Sequence, residues 1–339
     1  MPADSDRWRD GIGRRLRMRD LEVFLAARRG GSMARAAQDL AITQPAVSKS
    51  VRDLEDALGV RLFDRSPRGL TITPYGDVLA RRALGAFDEL RQAVEEVRAL
   101  TDPDFGVVRI GCNESLSVAL LPAAIRLLAE ERPGITVSVT QMSRPITIEI
   151  AHLRERKVDM IVGRGIFDVP EDDLLSEILF EEPFVVVAPG DSRWAHRPHV
   201  DLADLNGEKW ILHPPEEAPG SVVLDAFRAR GLAPPHASVI TTSFHLRQTL
   251  MASGDYLTVL PACMVAVLNQ GAPPVAVLPI DLGLAARPVA IFTLKNRTMN
   301  PATAQFAEAL RRVASAAPAP ASDLHLWADR CRRAPLACL

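Results

Sequence analysis

The chain has 339 residues, long enough for two or three domains. Hydrophobic content of 47% and charged content of 24% describe a globular protein, and a net charge of −2 excludes a polycation. The charge is divided, however: residues 1–100 hold 18 Lys and Arg against 15 Asp and Glu, net +3, and the remainder is net −5. No apolar run approaches the roughly 18 residues that suggest a membrane-spanning helix. Cys112, Cys263, Cys331 and Cys338 are far apart or near the end and show no metal-ligand spacing. The expectation is a reduced, cytoplasmic protein without a metal or other cofactor.

Residues 1–17 are polar, with five arginines and three aspartates. They read as a disordered arm, or else Met18 is the true start. Arg19 to Arg29 predicts a helix with Leu21, Phe24 and Leu25 on its apolar face. Gly30-Gly31 breaks it, and Ser32 is placed to cap a second helix whose Met33, Ala36, Ala37 and Leu40 recur at helical spacing. After a turn at Ala41-Ile42, Thr43 caps a third helix, with Pro45 tolerated in its first turn. On that helix Val47, Val51, Leu54 and Leu58 share one face. Gln44, Pro45, Ser48, Lys49 and Arg52 share the other. An amide, a hydroxyl and two cations without an acid until Asp53 suit a duplex: Gln pairs with adenine, Arg and Lys with guanine, Ser with base or phosphate. Two short helices and a tight turn make a helix-turn-helix, with an ordinary helical hairpin as the bland alternative. From Gly59 to Thr73 a short strand, a turn carrying Arg65 and Arg68, and a second strand follow, which is a wing aimed at phosphate or minor groove. Between Arg28 and Arg52 there are five cations and one acid, a local basic patch suited to salt-sensitive DNA binding.

The residues GSMARAAQDLAITQPAVSKSVRDLEDALGVRLFDRSPRGLTIT closely resemble the N-terminal domain of the LysR-type transcriptional regulators. The resemblance covers more than forty contiguous residues, through AA..L..TQPAVS, LE..LG and LF.R..RG. Met33 stands where that family often has Phe, and Lys49 where Arg is usual. The second change keeps charge but loses the guanidinium fork. The resemblance implies DNA contact by Ser32, Arg35, Thr43, Gln44, Pro45, Ser48, Lys49, Arg52, Arg65 and Arg68.

Pro74 opens a helix to about Leu100, roughly 40 Å long. Ala80, Ala83, Phe87, Leu90, Val94 and Val97 form a heptad seam. The resemblance implies a dimer contact through Ala83, Phe87, Leu90, Val94 and Val97. A partner is also wanted because one recognition helix reads few bases. Thr101 to Asp104 ends the helix at a hinge.

Beyond it strands and helices alternate: strand 107–110, helix 115–130, strand 135–140, helix 145–156 and strand 158–162 in a first unit. A second unit has strands near 184–188, 210–213, 238–242, 257–260 and 275–278, with helices at 222–229, 245–252 and 262–269. Strand 288–294 and helix 302–313 return to the first unit. The alternation predicts parallel sheets with helices on both faces. Crossings near Phe180 and Leu282 make two lobes, about 104–180 with 283–314, and about 181–282. This resembles the family's effector domain and periplasmic-binding proteins. The expected architecture is therefore α+β and multidomain: a winged helix-turn-helix (18–73), a linker helix (74–103), a two-lobed α/β effector domain (104–314) and a tail (315–339).

Ligands in open α/β sheets bind at the carboxyl ends of strands, where helix N-termini favour anions. Those ends carry Asn113, Ser115, Ser143 and Arg164 in one lobe and Ser221 and Thr242 in the other, with Arg164 as counter-ion. By resemblance, Ser115, Ser143 and the Thr242 loop match positions that hold small acids; a sugar-like metabolite is the alternative, and Glu114 would repel a carboxylate. His196-x-x-His199 lacks a third metal ligand, and no catalytic triad or carboxylate pair assembles from spacing. The expected function is a DNA-binding transcriptional regulator and not an enzyme. Its partners would be double-stranded DNA, a small-molecule effector, further copies of itself as a homodimer or homotetramer, and RNA polymerase. A solute-binding protein or enzyme with an incidental helical domain is the rival reading.

Overall fold

The computed structural model describes residues 15–316 except 67–68, 103, 144, 165–171, 217, 271–273, 281 and 284–285. Most of the N-terminal arm, the wing tip with Arg68, the side chain of Arg65, and the tail from residue 317 lie outside the described residues. Two compact units divide the chain, one up to Val94 and one from Glu95.

In the first unit α1 (Met18–Gly30), α2 (Met33–Asp39) and α3 (Gln44–Leu58) precede a two-stranded wing, β1 (Phe63–Ser66) and β2 (Gly69–Ile72), and α4 (Pro74–Thr101) begins behind it. Local chemistry sets each boundary. Ser32 Oγ accepts the Arg35 N–H at 3.1 Å, and Thr43 Oγ1 accepts that of Ala46 at 3.4 Å. Gly31 and Gly59 end α1 and α3 in the left-handed conformation, φ 63° and 70°. The Glu55 carboxylate accepts the Leu62 and Phe63 N–H groups, tying α3 to the wing. Val47, Val51 and Leu54 of α3 are fully buried with Phe24, Ala36 and Leu62.

The seam on α4 divides. Ala80 and Ala83 are buried in this same core, and Phe87 packs against it. That corrects the expectation for Ala83: its methyl is covered by its own chain and has no surface left for a partner. Leu90, Val94 and Val97 are exposed by 54%, 51% and 65%.

The second unit holds two five-stranded sheets. In chain order the elements are β3 (Gly106–Asn113), α5 (Glu114–Ala119), α6 (Leu121–Glu131), β4 (Ile135–Met142), α7 (Ile146–Arg154), β5 (Met160–Arg164) and β6 (Leu174–Glu182). Then come β7 (Phe184–Pro189), β8 (Lys209–Leu212), α8 (Ala218–Ala229), β9 (Ala237–Ile240), α9 (Phe244–Met251), β10 (Tyr256–Pro261), α10 (Cys263–Leu268) and β11 (Val275–Val277), before β12 (Arg287–Leu294) and α11 (Pro301–Ala316). Lobe I has the order β4-β3-β5-β12-β6, and lobe II β11-β7-β10-β8-β9.

Three expectations change. The sheets are mixed: β12 runs antiparallel to β5 and β6, and β7 to β10 and β11, because these strands carry the chain between lobes without a helical crossover. The expected helix 115–130 is two helices that meet at Leu120, since Pro122 brings no N–H to continue the first. Strand β6 has no counterpart in the sequence pattern; it is an edge strand whose mostly exposed residues show no clean alternation. Side chains of β7 alternate between the two faces of lobe II, Val186 and Ala188 into one cluster, Val185 and Val187 into the other. Ala119 of lobe I joins that second cluster, so apolar packing reaches across the lobes.

Gly76 sits where a Cβ would lie 2.4 Å from the Leu62 carbonyl oxygen, a backbone atom that cannot step aside. Gly76→Ala should therefore lower the stability of the winged unit by about 1–3 kcal/mol in denaturant unfolding. Gly207→Ala, with no atom within 4 Å of its Cβ, should leave the unfolding midpoint unchanged.

Candidate nucleic-acid interface and interlobe cleft

The buried valines and Leu54 hold α3 against α1 and α2, so its opposite face stands in solvent. Gln44, Pro45, Lys49 and Arg52 are exposed there, Ser48 is half-buried, and Arg35 is exposed on α2. Ser32 and Thr43 use their oxygens as caps and keep a hydroxyl proton for an outside acceptor. Ala41 has φ 53°, which makes the tight turn between the two helices. Lys49 Nζ lies 2.7 Å from Asp53 Oδ2.

In the second unit the ends of β3, β5 and β6 meet the start of α10. Asn113 caps α5 through the Leu116 N–H and accepts the Ser115 hydroxyl, both at 3.1 Å. Ser115 Oγ accepts Arg164 Nη1 at 2.7 Å. Arg164 donates its Nε to Glu182 at 2.9 Å and pairs with the same oxygen through Nη2. The other Glu182 oxygen accepts the Cys263 N–H of lobe II at 2.7 Å. Burial opposes the Arg164 charge, and the Glu182 carboxylate more than offsets it, leaving the guanidinium pKa above its ordinary value. Arg164 is thus not a free counter-ion, as the strand-end pattern implied: both charges are neutralised inside the wall of the cleft.

Asn113, Ser115 and Arg164 are brought together. Ser143 and Thr242 lie at the ends of β4 and β9, and among the described residues no hydrogen bond joins them to this network. Ser221 lies in the first turn of α8, which begins at Ala218. Sequence reasoning missed Glu182 and the bond from the Phe244 N–H, at the start of α9, to Glu114 Oε2 across the cleft at 3.4 Å. That bond gives Glu114 a partner at a helix N-terminus, where a carboxylate is favoured.

His213 Nε2 meets Arg247 Nη1 at 2.7 Å, and Arg247 also donates to the Thr241 carbonyl at 2.9 Å. Burial first, and Arg247 second, push the His213 pKa down to about 3, so the ring is a neutral acceptor at neutral pH. Cys112 and Cys263 are buried free thiols. Burial raises the first to about 12 and the second well above its usual value, so both stay protonated. A small cleft lined by Asp159, Thr293, Leu294, Arg297, Met299 and Asn300 lies at the opposite end of β5 and has room for about one water. Among the described residues no three His, Cys, Asp or Glu groups converge as metal donors, and no helix is long and apolar enough to cross a membrane.

Two family profiles match the chain: "Bacterial regulatory helix-turn-helix protein, lysR family" over residues 18–77, and "LysR substrate binding domain" over residues 101–315. The chain belongs to the LysR family of transcriptional regulators. It is a DNA-binding regulator with an effector-binding domain, not an enzyme. The HTH-type transcriptional regulator GbpR of Azospirillum brasilense is 30% identical over 88% of this chain and 86% of its own. A full-length OxyR variant from Pseudomonas aeruginosa superposes with a TM-score of 0.63 at 25% identity, covering 87% of this chain and 95% of that one. The LysR family regulator CbnR in complex with its target DNA has a TM-score of 0.50 at 23% identity and covers 88% of this chain and 100% of that one, a likeness of fold.

Two outcomes are expected for this LysR-type effector domain. Glu182→Ala leaves Arg164 buried without its carboxylate and should cost about 3–5 kcal/mol in denaturant unfolding. His213 is neutral in the folded state down to about pH 3 but takes up a proton in the unfolded chain below its ordinary value of 6.5. Its contribution is therefore whole above about pH 6.5 and is lost as pH falls from there toward 3, by about 1.4 kcal/mol per pH unit. A thermal-unfolding series from pH 7 to 4 should slope less steeply in His213→Gln.

Proposed function

We propose that this regulator binds paired half-sites as an oligomer, through α3 and the wing, and responds to a small molecule held between its two α/β lobes. What carries the reading is the two-sided α3: three fully buried residues on one face, and Gln44, Lys49 and Arg52 exposed together on the other. Gln44, Ser48, Lys49 and Arg52 read base edges, and Ser32, Arg35, Thr43, Arg65 and Arg68 contact phosphate. CbnR, a neighbour in fold, has been crystallised with its target DNA. The exposed stripe of Leu90, Val94 and Val97 supports pairing of two copies through α4, because a solvent-facing apolar seam on a long helix is buried by a partner.

The effector site takes a small acid or sugar-like metabolite, bound by Ser115, Ser143, Ser221 and Thr242, with Asn113 and Arg164 holding the wall in place. A ligand that binds one lobe angle better than another shifts the population, and α4 passes the change to the DNA-binding units and to RNA polymerase.

Footprinting on the DNA upstream of this gene tests the reading. A dyad-symmetric protected site whose affinity falls steeply with salt is expected. Arg52→Ala should weaken that site by about 1–3 kcal/mol with unchanged thermal unfolding. Equal affinity for the variant would remove α3 from the interface.

A further inference from the structure

We propose, building on the DNA-binding reading above, that Asp53 sets the specificity of the recognition helix by holding Lys49 away from the phosphate backbone. Asp53 follows Lys49 by one turn of α3, and the two groups meet at 2.7 Å with side chains 73% and 44% exposed. Spacing alone does not make the pair. Arg52 and Asp56 have the same separation on the same helix, both are exposed, and no ion pair joins them. Of the exposed cations Arg35, Lys49 and Arg52, Lys49 is the one whose charge meets a carboxylate among the described residues.

Two consequences follow for a duplex. Non-specific affinity comes from cations that replace counterions on phosphates, each adding close to one unit to the slope of log affinity against log salt. An ammonium already neutralised adds little to that slope, and its carboxylate is itself repelled by phosphate. Base reading is affected in the opposite sense. Lysine is a point charge on a flexible stem and lacks the directional fork of arginine. The Asp53 tether supplies a direction, fixing the ammonium against the Asp53 carboxylate, one turn along α3 from the backbone of Lys49. Asp53 is thus a positioning residue: it lowers affinity for arbitrary DNA and keeps Lys49 aimed at the base edge that it reads.

The test is fluorescence anisotropy of the full chain with two labelled duplexes, the gene's upstream region and a shuffled sequence of the same composition, between about 50 and 200 mM KCl. Asp53→Asn should tighten the shuffled duplex about fivefold and steepen its salt slope by about one, with less than about a twofold gain on the upstream duplex, so the specificity ratio falls. Asp56→Asn controls for bare charge and should change both duplexes equally. In a Lys49→Met background the Asp53→Asn gain on the shuffled duplex should vanish. If Asp53→Asn matches Asp56→Asn, or the gain survives Lys49→Met, the tether is overturned while the DNA interface stands. If the wild-type chain shows no salt-dependent binding to either duplex, the interface reading falls first and the tether with it.

Discussion

A buried guanidinium must be neutralised where it stands, and Arg164 meets that requirement at the crossing between the lobes. Its partner Glu182 ends the last strand of lobe I before the chain passes into lobe II, and the same carboxylate takes up the N–H at the head of α10. Through Ser115 the guanidinium also reaches the cap of α5. Four elements from two lobes thus converge on one ion pair. Removing either charge leaves the other stranded at low dielectric, which is why such a pair fixes geometry more surely than it adds net stability. Glu114 adds a second polar link from α5 to α9, and Ala119 an apolar one. The wall of the cleft consequently has its strongest charges already satisfied by one another.

The winged unit follows a different logic. There the constraint is that a fifteen-residue helix must bury one face completely and present the other. Val47, Val51 and Leu54 do the first, and the Thr43 cap with the Gly59 stop fixes its length. Glu55, on the flank between the two faces, reaches the wing backbone. The wing in turn closes on the turn after α1, where the Leu70 N–H donates to the Gly31 carbonyl at 3.0 Å. A Cβ at Gly69 would come within 2.9 Å of that oxygen, so glycine is required at this approach.

How much of this is legible in the sequence depends on how far apart the partners lie. The caps at Ser32 and Thr43 act over three residues, and the sequence shows them directly. The faces of α3 repeat at helical period and are equally plain. Glu182 lies 18 residues from Arg164 and 81 from Cys263, and Glu114 lies 130 from Phe244. No local pattern marks such pairs, so Arg164 looks free in the sequence. Pro122 is visible there too, but the apolar period continues on both sides of it and suggests one helix. Ala80 and Ala83 keep the same period as Leu90 and Val94; small side chains fit a dimer seam and a tight intramolecular contact alike, and the fold uses the second.

That burial of Ala80 and Ala83 redraws where the N-terminal module ends. The sequence boundary at Thr73 separates the wing from the helix, yet a fragment cut there would open a hole beside Phe24, Val51 and Leu62. The first turns of α4 belong to the winged unit as much as its own three helices do. Evolution or an engineer exchanging operator specificity between such proteins must therefore carry the helix past Phe87 as part of the cassette, toward the division of the two compact units at Val94 and Glu95.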